Sequence, residues 1–77
     1  MGHMAKQVNL SLGETLSIAG FQLVYCGNVL DRAVFALNVG GSENWHPFHL
    51  YVEVGSTIRG RIKLLSYTGQ FAVLEEI

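Results

Sequence analysis

The sequence predicts an all-β domain, a small single-domain sandwich or barrel of about six to seven strands. Three observations carry this. Apolar and polar residues alternate with a period of two through nearly the whole chain, the pattern of strands with one buried face. No window offers the i, i+3, i+4, i+7 spacing of an amphipathic helix. Glycine, asparagine and aspartate punctuate the alternation at the intervals expected of turns.

In chain order, Val8, Leu10 and Leu12 alternate with Gln7, Asn9 and Ser11, giving a first strand. Gly13-Glu14 turns it into Thr15 to Ile18, and Ala19-Gly20 turns the chain again into Phe21 to Val29, rich in aromatic and β-branched residues. Asn28 to Arg32 contains a bend. Ala33 to Val39 is apolar on both faces and is expected to be a central strand covered on both sides. Gly40 to Pro47 is the one long loop. Phe48 to Val54, a turn at Gly55-Ser56, a strand near Arg61 to Tyr67 and a tight Thr68-Gly69 hairpin into Gln70 to Ile77 complete the chain.

The chain also carries a faint copy of itself. Val8 to Leu16 falls on Leu50 to Ile58 when the sequence is shifted by 42 residues (8 + 42 = 50), and Leu23, Tyr25 and Gly27 then fall on Leu65, Tyr67 and Gly69 without a gap. An internal repeat over residues 8–29 and 50–71 follows. A unit of that size cannot bury an apolar face alone, so the expected product is one closed core of two pseudo-symmetric halves. Residues 5–77 form the single domain; Met1-Gly2-His3-Met4 has the look of a cloning remnant and is set apart from it.

Composition narrows the function classes. Hydrophobic residues make up 49% of the 77 and charged residues 14%, against roughly a quarter charged in ordinary globular chains. The surplus apolar area goes into the core or onto a surface that a partner or a second copy covers. The formal net charge of −1 gives no global field for nucleic acid. A single cysteine, Cys26, excludes an internal disulfide and favours a cytoplasmic location. No apolar stretch approaches the roughly 20 residues needed to span a bilayer as a helix, so membrane insertion is not expected.

Four groups of residues compete as sites. Trp45-His46-Pro47-Phe48-His49 concentrates aromatic area in and after the loop, and Trp45, Phe48 and Tyr51 are the expected partner-binding anchors; the competing role for Trp45 and Phe48 is capping one end of the barrel. His46 and His49 are three positions apart with Pro47 between them: the proline argues against a helix, and the odd spacing puts them on opposite faces of a strand, so no metal is expected. Cys26 with His46 or His49 and Asp31 could be drawn as a nucleophile, base and acid. Cys26 is, however, expected to be buried beside Tyr25 and inert, and no enzyme activity or cofactor is expected. Arg59, Arg61 and Lys63 alternate with Gly60 and Ile62, so they are expected on one strand face as a short phosphate-binding stripe, with Arg61 opposite Glu76 if Thr68-Gly69 is a two-residue turn.

Two partial resemblances accompany these readings. Val52 to Gly60 with Phe71 to Glu75 resembles the end of the small periplasmic β domains of type II secretion and type IV pilus assembly proteins, which implies an interaction role. In that turn Ser56 stands where an acidic residue is common. Gly13-Glu14-Thr15-Leu16-Ser17-Ile18 is similar to the second strand of the carbon storage regulator family, which implies RNA binding; Asn9 to Leu12 replace the arginine-rich strand of that family. The two segments are the same unit of the repeat, so neither assigns the chain to a family. The sequence therefore points first to a non-enzymatic protein-protein interaction or assembly module, whose partner is another protein or a second copy. The alternative is a small β-barrel that binds single-stranded nucleic acid through Arg59, Arg61 and Lys63.

Overall fold

A computed structural model describes residues 6–18, 20–39 and 48–77. Every regular element among them is a strand: β1 (Lys6–Ser11), β2 (Thr15–Ile18), β3 (Phe21–Val29), β4 (Arg32–Val39), β5 (Phe48–Val52), β6 (Thr57–Ile58), β7 (Ile62–Tyr67) and β8 (Phe71–Glu76). They form two four-stranded antiparallel sheets, ordered β1-β8-β7-β6 and β2-β3-β4-β5. The all-β expectation holds, with one strand more than its upper count, because Thr57–Ile58 beyond the Gly55 corner pairs with β7 as a short strand of its own.

Both corners are built the same way. The Glu14 amide donates to the Ser11 carbonyl at 2.9 Å, and the Ser56 amide donates to the Glu53 carbonyl at 3.1 Å. The third residue of each turn is glycine with positive φ, +82° at Gly13 and +94° at Gly55. A positive φ confined to that position is the signature of a type II turn, which residues with a Cβ enter only at a cost. Each corner carries the chain from one sheet into the other. The order is thus continuous around the molecule: β1–β2 and β5–β6 act as two long bent strands shared between the sheets.

The register beyond the corners differs from the gap-free alignment of the sequence. Leu16 pairs with Leu23 in one hairpin, and Ile58 pairs with Ile62 in the other. Six residues intervene in the first and three in the second, so Leu23 and Tyr25 occupy the places of Ile62 and Leu64, not of Leu65 and Tyr67. The backbone agrees: the Gly13 amide donates to the Tyr25 carbonyl and the Gly55 amide to the Leu64 carbonyl, both at 2.8 Å. Register shifts in β3 and β7 begin at these same two residues.

The core is the shared inner face. Phe21, Leu23 and Tyr25 of β3 and Ala33, Phe35 and Leu37 of β4 meet Leu10, Ile62, Leu64, Ala72 and Leu74 from the other sheet. Central strand β4 is buried on both faces, as its composition predicts: Val34, Ala36 and Asn38, on the outer side, are also buried. Within the core the Tyr25 and Phe35 rings are tilted by 43° with centroids 5.3 Å apart. The Tyr25 hydroxyl donates to the Thr68 carbonyl, tying β3 to the β7–β8 turn.

That turn corrects one expectation. The Thr68 amide donates to the Phe71 carbonyl, so Gly69-Gln70 is the two-residue connection, and Gly69 is not among the positive-φ glycines. Thr68 supplies the alternative to a glycine-driven turn: its Oγ1 accepts from the amides of Gln70 and Phe71, at 3.1 and 3.2 Å. Moving the turn by one residue, with a bulge in β7, also moves the register. Glu76 pairs with Ile62, and the Arg61 carbonyl accepts from the Ile77 amide.

Candidate functional site

The residues singled out in the sequence fall at three places. Trp45 and His46 lie outside the described residues, as does the rest of the 40–47 loop. Phe48 opens β5 and is 66% exposed, and Tyr51 on the same strand is 57% exposed. An odd spacing along a strand sends their side chains to opposite faces: Tyr51 projects to the outer side with exposed His49, and Phe48 shares the side of Leu50 and the buried Val52. Only a body lying along the edge of β5 can reach both.

Cys26 is exposed, contrary to the expectation of a buried thiol. The alternation of β3 turns Tyr25 inward and therefore Cys26 outward, and the bulge between Tyr25 and Asn28 carries Gly27, at φ +97°, rather than the cysteine into a buried position. Asp31 is in the β3–β4 turn while His49 pairs with Ala36, midway along β4. The fold therefore does not line Asp31 and His49 up with Cys26 as a nucleophile would need.

The basic residues do not share a strand face. Arg59 and Gly60 are the two central residues of the Ile58–Arg61 turn, with φ of 54° and 66°, and the Arg61 amide closes it on the Ile58 carbonyl at 3.1 Å. Both positive φ values mark a type I′ hairpin turn, whose twist suits antiparallel strands and whose usual residues are Asn and Gly. Of the three, only Lys63 lies on a strand, and it pairs in register with Glu75. The sequence alternation is real, but the turn rotates successive side chains away from a common face.

The turn instead carries Arg59 to the rim of a groove that sequence reading did not anticipate. The groove, about 360 Å³ in volume, lies at the seam where β5 and β6 part company around the Gly55 corner. Leu37, Leu50 and Ile58 supply its apolar lining, and Ser56, Thr57 and Arg59 its polar side. At one end Arg32 Nη2 donates to Glu53 Oε1 at 2.9 Å, with Asp31 a further 3.9 Å contact for the same guanidinium. Both side chains are about half exposed, 47% and 52%, so the pair positions the end of β5 and adds at most about 1 kcal/mol.

Arg59 is different. Among the described residues no carboxylate lies within ion-pair distance of it. Its guanidinium carbon sits 5.7 Å from the centroid of the Phe21 ring, a cation–π contact across the two sheets. That contact holds a full positive charge at the groove without neutralising it. The only sequence signals for this arrangement are the glycine corner and the Arg-Gly pair. Neither reveals by itself that β5 and β6 diverge there.

Comparison with protein-family models, with curated proteins and with solved structures finds no match.

Proposed function

We propose that this chain is a non-enzymatic protein-protein interaction or assembly module that engages its partner through β5. The observation that supports this most is the contrast between the edges of the two sheets. Edge strands invite other strands, and proteins guard them with charge, polar residues or brevity. β1 presents exposed Lys6, Gln7, Asn9 and Ser11, β2 presents exposed Thr15 and Ser17, and β6 is two residues long. β5 is the least guarded of the four: it carries no formal charge, His49 is its one polar side chain, and it exposes Phe48 and Tyr51. Trp45, three residues before Phe48 in sequence, belongs to the same aromatic set.

Affinity capture from a source lysate, with and without nuclease, tests the reading. The wild-type chain is expected to retain a defined protein after nuclease treatment. Trp45→Ala, Phe48→Ser and Tyr51→Ser are each expected to weaken that capture while leaving the thermal transition nearly unchanged, because Phe48 and Tyr51 are already mostly in solvent. Retention of the same protein at full strength by all three variants would reject the reading. Sedimentation of the purified chain separates a second copy from a different protein as the partner.

A second reading, binding of single-stranded nucleic acid through Arg59, Arg61 and Lys63, has one observation in its favour, that Arg59 has no ion-pair partner among the described residues. Three phosphate contacts give a fall in affinity with a slope of about two on log–log axes against salt. A flat response rejects it.

A further inference from the structure

We propose that the seam between β5 and β6 takes an extended segment of a partner protein as an added strand on β5, with an acidic side chain of that segment placed on Arg59. This rests on the interaction-module reading and specifies its partner.

Three features of the seam converge on one kind of occupant. First, β5 hydrogen-bonds to β4 on one side, and among the described residues no strand pairs with its other side. Unpaired amides and carbonyls along a strand recognise another extended backbone before they recognise anything else. Second, Leu50, Tyr51 and Val52, three successive residues, all line the groove. Successive strand residues point to opposite faces, so one cavity touches all three only by following the strand's edge. A segment seated there meets Tyr51 and, continued along the edge of β5, reaches Phe48 at the start of the strand, which no ligand confined to one face of the sheet can do. Third, charge complementarity sets the chemistry of the occupant. The groove holds Arg32, Arg59 and Glu53; Arg32 and Glu53 satisfy each other, which leaves the charge of Arg59 over. A basic or wholly apolar segment would leave that charge facing it uncompensated, whereas an aspartate or glutamate completes it. The apolar lining of Leu37, Leu50 and Ile58 takes the alternate side chains of the same segment.

Arg59 also holds its position at a cost. Left-handed φ is unfavourable for a residue with a Cβ, and the turn would accept asparagine or glycine with less strain. The exposed side chain that results lies against the Phe21 ring at the groove, a contact that favours this position over others without removing it from solvent.

The experiment is selection of a random phage-displayed peptide library on the full 77-residue chain, followed by anisotropy measurements on the enriched peptide. Enriched sequences are expected to alternate apolar and polar residues and to carry Asp or Glu at one fixed position. Arg59→Gln is expected to weaken the peptide about tenfold, the scale of one charge-assisted hydrogen bond. Replacing the acidic residue of the peptide by lysine abolishes binding to the wild type and restores it to Arg59→Glu, a rescue that a misfolded variant cannot show. N-methylation of alternate peptide amides abolishes binding in one phase and spares it in the other. Absence of enrichment, enrichment without an acidic position, or indifference to both N-methylation phases overturns the proposal. If the selected peptide is indifferent to Arg59 and to N-methylation while Phe48→Ser still loses the captured protein, strand docking falls and the interaction surface stands. If Phe48→Ser retains that protein as well, both fall.

Discussion

Phe35→Ala is expected to cost about 3–5 kcal/mol of folding stability, the largest effect of any single truncation in the domain. Phe35 is fully buried on β4, pairs in register with Tyr25 and Leu50, and stacks its ring against Tyr25. Its neighbours are held by hydrogen-bonded strands on both sides, so the interior cannot collapse into the space left behind. The cost therefore includes the cavity as well as the lost transfer energy. A small domain has about 5–15 kcal/mol in total, so the variant stands near the limit of folding. Denaturant titration checks this. A loss below about 1 kcal/mol would mean that the two sheets do not enclose Phe35 as a common core.

Tyr25→Phe tests the tie between the sheets. The substitution keeps the ring against Phe35 but removes the hydroxyl that donates to the Thr68 carbonyl. Leaving that carbonyl without its donor is expected to cost about 1–3 kcal/mol. The β7–β8 turn itself should survive, since Thr68 Oγ1 still accepts from Gln70 and Phe71. The variant also carries a pH signature. Burial, with a smaller contribution from Tyr67, raises the Tyr25 pKa above the ordinary value of about 10. The folded state then holds this proton more tightly than the unfolded state. The stability it contributes is fully present below about pH 10 and is lost as pH rises through the unfolded value towards the folded one. The alkaline decline of stability should be shallower in Tyr25→Phe than in the wild type. Equal slopes would show that Tyr25 does not titrate differently on folding.

The fold was legible where a single strand's pattern decides the outcome. Alternation in Val8 to Leu12 and the doubly apolar run of β4 survive intact, because burial of one or both faces is a local property of sequence. Both Gly-x-Thr corners were legible too, since only a positive-φ turn needs that glycine. What failed depends on registers that several residues set together. The Thr68 side chain, not Gly69, organises the last hairpin, and that displacement removed Arg61 from Glu76. The shorter β6–β7 hairpin broke the gap-free match of Tyr25 with Tyr67. Cys26 was judged by its apolar neighbours in sequence, whereas the inward turn of Tyr25 decided its exposure.

The candidate site was legible in part for a related reason. Phe48 and Tyr51, named from the sequence as aromatic anchors, are both exposed on β5. The groove beside them was not legible. It is made by the divergence of β5 and β6, and it joins Leu37 and Arg32 to residues some twenty positions later in the chain. Arg59 was singled out for its charge, as part of a stripe that the hairpin turn disperses. Its place beside Phe21 depends on the other sheet, and no spacing within its own hairpin encodes that.

Hydrogen exchange of the chain with and without the selected peptide tests the central claim most directly. Added-strand binding at β5 predicts slowed exchange at amides within Phe48–Val52 and no change along β1 or β2, the other sheet edges longer than two residues. Protection confined to β1 or β2, or no protection at β5 under saturating peptide, would contradict it.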